Sequence, residues 1–120
     1  MAEASSHRQL RVWQKSMDMA VDVYEISKTL PNAETYGLRS QLTRAAVSVP
    51  ANIAEGSARG SAADYSRFLA IAKGSLMETE TLVMLAIRLS FVSEAKAVAV
   101  LGLITEISKM LTVMRAKLLT

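Results

Sequence analysis

The strongest constraint on this sequence is its hydrophobic period. Between Gln9 and Leu118, apolar side chains recur at the three- and four-residue spacing of an α-helix in consecutive stretches divided only by short turn signals. Helices joined so tightly must double back on one another. The expected fold is all-α, an antiparallel up-down-up-down four-helix bundle. A chain of 120 residues is the size of one domain and too short for two cores. Residues 9–120 are assigned to the bundle, and residues 1–8, within the short polar stretch MAEASSHRQL, to a flexible N-terminal tail without the apolar run of a secretory signal.

The first helix is expected from Gln9 to Leu30. It carries two neighbouring apolar stripes, Leu10, Trp13, Met17, Ala20, Tyr24 and Val12, Met19, Val23, Ile26, Leu30, opposite the charged row Arg11, Lys15, Asp18, Asp22, Glu25. Pro31-Asn32 ends it, because the residue before a proline is pushed out of the helical region. The second helix begins near Tyr36, places Leu38, Leu42, Ala45, Val49 and Ile53 on one side, and ends around Gly56 to Gly60. Pro50 lies inside it, takes away the hydrogen bond to Ala46 and crowds that carbonyl, so a kink or break is expected from Ala46 to Pro50. Gly60 suits a helix end. Ser61 with Asp64 resembles a capping box opening the third helix, which runs to about Ser90 with Tyr65, Phe68, Leu69, Ala72, Leu76, Leu82, Val83, Ala86 and Leu89 on its apolar side. Ser93 caps a fourth helix that continues to about Leu118.

Hydrophobic residues make up 51% of the chain and its mean hydropathy is +0.24, more apolar side chain than so small an interior needs. The fourth helix shows where the surplus lies. Val98, Leu101, Ile104, Leu111 and Leu118 form one stripe, and Val100, Leu103, Ile107, Met110 and Met114 a second. A helix apolar nearly all round is normally buried on more than one side, so a homo-oligomer is expected; the competing reading is a bundle with a broad apolar flank. The longest unbroken apolar run, Ala97 to Ile104, falls short of the roughly 20 residues of a membrane span. No membrane partner is expected, and the absence of cysteine fits a cytoplasmic address.

Short loops also fix which helix ends share a pole. The start of the first helix, the end of the second, the start of the third and the end of the fourth gather Arg8, Arg11, Lys15, Arg59, Arg67, Lys73, Lys109, Arg115 and Lys117 against Glu3, Asp18, Glu55, Asp64 and Glu106. The other pole, with Lys28, Arg39, Arg44, Arg88 and Lys96 against Asp22, Glu25, Glu34, Glu78, Glu80 and Glu94, is slightly acidic, so the net charge of +3 is concentrated at one end. In the first helix Arg8, Arg11 and Lys15 stand at the positive end of the helix dipole, a placement that local stability does not explain. In a cyclic assembly all the basic poles lie together and their summed field suits a phosphate backbone; alternatively the basic end is only solvated. A second polar row, Gln41, Arg44, Ser48, Asn52 and Glu55 on the second helix, reads either as a solvated or inter-subunit hydrogen-bonding face or as a ligand surface.

The residues argue against catalysis. Without cysteine there is no disulfide framework, thiolate nucleophile or cysteine-bound metal, and His7 as the one histidine supports neither a di-iron bundle site nor a Ser-His-Asp triad. Gly56 to Ser61 lacks the lysine, spacing and preceding strand of a phosphate loop. Ser93 with Lys96 lacks the partner motifs of a serine–lysine hydrolase. Glu78 and Glu80, two apart on a helix, point to different sides. No catalytic residue, metal or cofactor is expected.

The string Leu10-Arg-Val-Trp-Gln-Lys15, Tyr36-Gly-Leu38 with Ser40-Gln41, the run from Arg44 through Val47-Ser-Val-Pro50-Ala-Asn52 to Glu55-Gly56, and Tyr65 with Arg67-Phe-Leu69, Gly74-Ser75 and Glu78 resemble a bacterial four-helix-bundle family. That family includes proteins encoded by intervening sequences in large-subunit ribosomal RNA genes. The likeness spans about Leu10 to Leu89, and the fourth helix is similar in pattern only. The resemblance implies a homopentameric barrel of bundles and, for most members, no assigned activity. Related accessory proteins of diversity-generating retroelements are similar in fold and bind nucleic acid and a reverse transcriptase through a basic surface. Lys15, Arg44 and Arg67 fall within the shared motifs, whereas Arg8, Arg59, Arg115 and Lys117 lie outside them or at their edge. Asn52 and Glu55 are expected first to be structural, satisfying backbone that Pro50 frees.

The expectation is therefore a non-catalytic homo-oligomer that binds RNA or DNA phosphates, without sequence specificity, through Arg8, Arg11, Lys15, Arg59, Arg67, Arg115 and Lys117. The alternative is a protein–protein interaction scaffold.

Overall fold

The computed structural model describes residues 6–120. Its four α-helices are α1 (Arg11–Ser27), α2 (Leu38–Ser57), α3 (Ala62–Arg88) and α4 (Glu94–Leu118), with short 3-10 turns at His7–Gln9 and Asn32–Glu34 and no strand among the described residues. α1 packs on α2 and α4, and α3 packs on the same two helices, so the bundle is square in section. Neighbours run antiparallel. Lys15 on α1 meets Glu106 on α4 at 3.0 Å, the Ser48 and Ser75 hydroxyls join α2 to α3 at 2.8 Å, and Arg115 near the end of α4 donates to Ser66 near the start of α3 at 3.3 Å.

Of the two α1 stripes, Val12, Met19, Val23, Ile26 and Leu30 enter the core against Leu42, Val49, Ile53, Leu69, Leu76, Val83, Ile104, Ile107 and Leu111. The other stripe stays largely outside, with Met17 and Tyr24 exposed and Leu10 and Trp13 half-buried. Both stripes of α4 are used: Val100, Ile104, Ile107 and Leu111 are buried, while Leu101, Leu103, Met110, Met114 and Leu118 pack on the core's edge. α4 has 25 residues and a mean hydropathy of 1.7 over its most apolar window, long and apolar enough by length and composition to cross a membrane. Its inner face is packed against the other helices, yet only 28% of that window is buried, leaving an apolar flank uncovered.

The helix ends follow local chemistry. Ser61 Oγ accepts the Asp64 N–H at 3.1 Å and Ser93 Oγ accepts the Lys96 N–H at 3.2 Å, the expected N-caps. α2 has no hydroxyl cap; the Glu34 carboxylate takes the Leu38 N–H at 3.1 Å, and a Cβ on Gly37 would stand 3.0 Å from that oxygen. α1 stops at Ser27 rather than Leu30. Arg39 from α2 donates Nε to the Ser27 carbonyl at 2.9 Å and Nη2 to the Leu30 carbonyl, serving helix-end carbonyls for which Pro31 and the turn after it leave no i+4 donor. α3 closes in a Schellman turn: the Phe91 and Ser90 N–H groups each reach back 2.9 Å, to Ala86 and Ile87, with Ser90 at φ 64°.

Two sequence expectations are corrected, a break in α2 and the backbone roles of Asn52 and Glu55. α2 is continuous through Pro50, which is itself buried; packing of Ala45, Ala46, Val49 and Ile53 in the core holds the helix across the missing hydrogen bond. Asn52 and Glu55 do not serve the carbonyl freed at Ala46: Asn52 Nδ2 donates to the Ser48 carbonyl at 2.8 Å and hydroxyl at 2.9 Å, and Glu55 pairs with Arg59 at 2.9 Å. Of the expected tail, residues 1–5 lie outside the described residues, while His7–Gln9 is a defined turn. Ser6 caps it, Gln14 Nε2 binds the Arg8 carbonyl at 2.9 Å, and the His7 ring stands edge-on to Trp13 with centroids 4.9 Å apart.

Candidate nucleic-acid interface

The bases expected to form one surface divide by what they touch. Lys15 is held by Glu106. Arg59 pairs with Glu55 at 2.9 Å and Arg67 with Asp64 at 3.3 Å, and both guanidinium groups lie 4.6 Å from the Phe68 ring centre. These two arginines clamp the α2–α3 turn around one buried ring, and much of their charge is answered locally. Arg115 is half-buried on Ser66. Arg8, Arg11 and Lys117 are exposed and have no carboxylate partner among the described residues. Lys109 shares that state and adds a base to those expected to bind phosphate. Glu3, which the sequence reading set against these bases, lies outside the described residues.

The pole is stepped rather than flat. The Lys15–Glu106 bridge fixes the register of α1 on α4, and the groove that Asp22, Glu25 and Ile26 share with Lys96, Ala99 and Val100 gives the same register. At the helical rise of 1.5 Å per residue, Lys117 lies about 10 Å farther along the bundle axis than Arg11. α4 therefore runs on past the start of α1, whose first turn forms a shelf beside the projecting end of α4. Arg11 and Trp13 belong to the shelf, with Arg8 in the turn that precedes it, while Arg115 and Lys117 belong to the projecting end of α4.

The polar row of α2 goes elsewhere. Ser48 and Asn52 are half-buried in the α2–α3 seam through Ser75, with Gln41, Arg44 and Glu55 exposed along it. Tyr65 packs beside Gly56, and its desolvation raises the phenol above its ordinary pKa, so it stays neutral and adds nothing to the field of the pole. Gly56 lets α2 and α3 pack closely: a Cβ there would stand 2.8 Å from Phe68 Cβ. No group of three or more metal-ligating side chains occurs among the described residues.

A four-helix bundle with a stepped basic end and no assembled metal cluster among its described residues defines a class of small helical proteins rather than a chemistry. Within that class the chain belongs to the 23S rRNA-intervening sequence protein family, which matches residues 8–113. A similar solved structure is a protein of unknown function from the S23 ribosomal protein family of Bacteroides thetaiotaomicron, with a TM-score of 0.80 and 30% identity, covering 87% of this chain and 97% of its own. No curated protein matches the sequence.

Proposed function

We propose that this chain is a non-catalytic nucleic-acid-binding protein that holds RNA or DNA phosphates at its basic pole and works as a homo-oligomer, a pentamer by the family resemblance. The observation that carries the reading is the set of exposed bases without carboxylate partners, Arg8, Arg11, Lys109 and Lys117, at one end of the bundle. Arg11 stands in the first turn of α1, where the helix dipole disfavours a base, and exposed bases without carboxylate partners are the groups that release counterions when they meet phosphates. The test is binding of labelled RNA and duplex DNA over a salt series, with Arg8, Arg11 and Lys117 changed to glutamine in a companion protein. Affinity that falls with salt and is lost in the variant supports the reading; absence of binding at low salt removes it.

Uncovered apolar grooves support the oligomer, and they also favour a second reading as a protein-interaction scaffold. Met17, Ala20, Val21, Tyr24, Val47 and Pro50 line one groove between α1 and α2, and Met84, Ile87, Val98 and Leu101 line another between α3 and α4. The square packing sets them on opposite faces. Faces so arranged suit head-to-tail association into a ring, which leaves the basic poles on one side.

A further inference from the structure

We infer that the shelf at the basic pole takes an unpaired nucleobase on Trp13, so that the strand bound there is single-stranded; this rests on the nucleic-acid reading above and specifies its ligand. Trp13 is the one tryptophan in the chain. It stands in the first turn of α1, half-buried against the edge of the core, with His7 edge-on at 4.9 Å and an interplanar angle of 66°. The turn that carries His7 is held in place from both sides, by the Ser6 hydroxyl accepting the Arg8 N–H at 3.2 Å and by Gln14 on the Arg8 carbonyl at 2.9 Å. Arg8 and Arg11 are thereby fixed to the same corner as the two rings, and neither has a carboxylate partner among the described residues.

An aromatic platform set among unneutralised bases is the combination by which proteins hold single strands without reading their sequence, since every base has a face to stack and every nucleotide a phosphate. The step strengthens the argument against a duplex. Double-stranded DNA is stiff over about 50 nm, so it rests on the projecting end of α4 and cannot bend into a shelf about 10 Å lower. Its bases are also already stacked on one another. A single strand follows the step, setting phosphates on Lys117 above and on Arg8 and Arg11 below while one base leaves solvent for the indole. Phosphate contacts alone, from so few free bases, give the weak binding typical of non-specific complexes; stacking supplies the discrimination between strands.

The lone tryptophan makes the test direct. The full chain is titrated with an oligodeoxythymidine, with the corresponding oligouridine, and with a duplex of equal length, following Trp13 fluorescence and the anisotropy of an end label together. The expected result is quenching that saturates with the anisotropy change, affinity for single strands at least about tenfold above the duplex, and loss of that preference in Trp13→Leu with duplex affinity retained. Equal affinity for duplex and single strand overturns the inference and leaves phosphate binding intact, as does single-strand binding with unchanged fluorescence. Failure of every nucleic acid to bind overturns the broader reading as well. The wild-type titration decides these outcomes even where Trp13→Leu does not fold.

Discussion

Lys15 Nζ lies 3.0 Å from Glu106 Oε2, and this bridge both sets the register of α1 on α4 and withdraws a base from the pole. The pair is partly exposed, at 23% and 49% of the two side chains, which keeps its energetic weight small. Lys15→Met is expected to lower stability by less than about 1 kcal/mol and to leave the salt slope of nucleic-acid binding unchanged. Thermal unfolding and a salt titration of the variant check both; a shallower slope would mean that Lys15 reaches phosphate despite its carboxylate.

Gly56 sits at a close approach of α2 and α3, where a Cβ would stand 2.8 Å from Phe68 Cβ and 3.1 Å from the Tyr65 ring. A methyl there has to push two helices apart. Gly56→Ala is expected to cost about 1–3 kcal/mol by overpacking. Because glycine is otherwise the poorer helix former, an alanine that stabilises the protein in chemical unfolding would refute the close contact.

Arg39 belongs to a group of residues that sequence reasoning did not single out. Its guanidinium serves the carbonyls of Ser27 and Leu30 at the end of α1 and contacts the Thr35 hydroxyl at 3.4 Å. The Ser27 carbonyl keeps the Leu30 N–H at 3.2 Å, so removing the guanidinium strands the Leu30 carbonyl alone; Arg39→Met should cost about 1–3 kcal/mol, with Lys recovering only part of that because it lacks the fork. Urea unfolding of the two variants measures the difference; equal stability of all three proteins would show that water replaces the guanidinium at no cost.

Ser90 holds a positive φ of 64° at the end of α3. Ser90→Gly relieves that conformation and should raise stability by about 1 kcal/mol, a rise in Tm of several degrees for a chain this size. An unchanged or lower Tm would place the strain elsewhere.

Val21 on α1 and Val98 on α4 are 60% and 68% exposed, on opposite faces. Aspartate at either site should leave the fold intact and abolish self-association. Mixing the two variants should restore one contact per pair and yield dimers only, because each retains one good face. Light scattering reads the result. Variants that still assemble alone would exclude these grooves as the interface.

Much of this fold was legible from residue spacing. Helix number, order and direction follow from the apolar period, and the Ser61 and Ser93 caps stand where their spacing placed them. The departures have physical causes. Pro50 reads locally as a breaker, but the core around Ala46 and Val49 outweighs one lost hydrogen bond. The turn after α1 is braced by Arg39, from another helix. At the candidate interface, topology brought the helix ends together but carried no axial offset, so the step between Arg11 and Lys117 appears only once Lys15 is seen opposite Glu106. The pairing of Arg59 and Arg67 was available earlier: Glu55 is four residues before Arg59, and Asp64 three before Arg67, the spacings at which helical charges meet.

The most direct test of nucleic-acid binding at the basic pole is the dependence of affinity on salt. With about four phosphates met per subunit by Arg8, Arg11, Lys109 and Lys117, the logarithm of the binding constant for a single strand should fall against the logarithm of salt with a slope near −3 per bound subunit. The slope should drop to about −1 when Arg8, Arg11 and Lys117 become glutamine and stay near −3 when Arg59 and Arg67 do. A slope near zero in the wild type, or one that changes with Arg59 and Arg67 but not with Arg8, Arg11 and Lys117, would contradict the account.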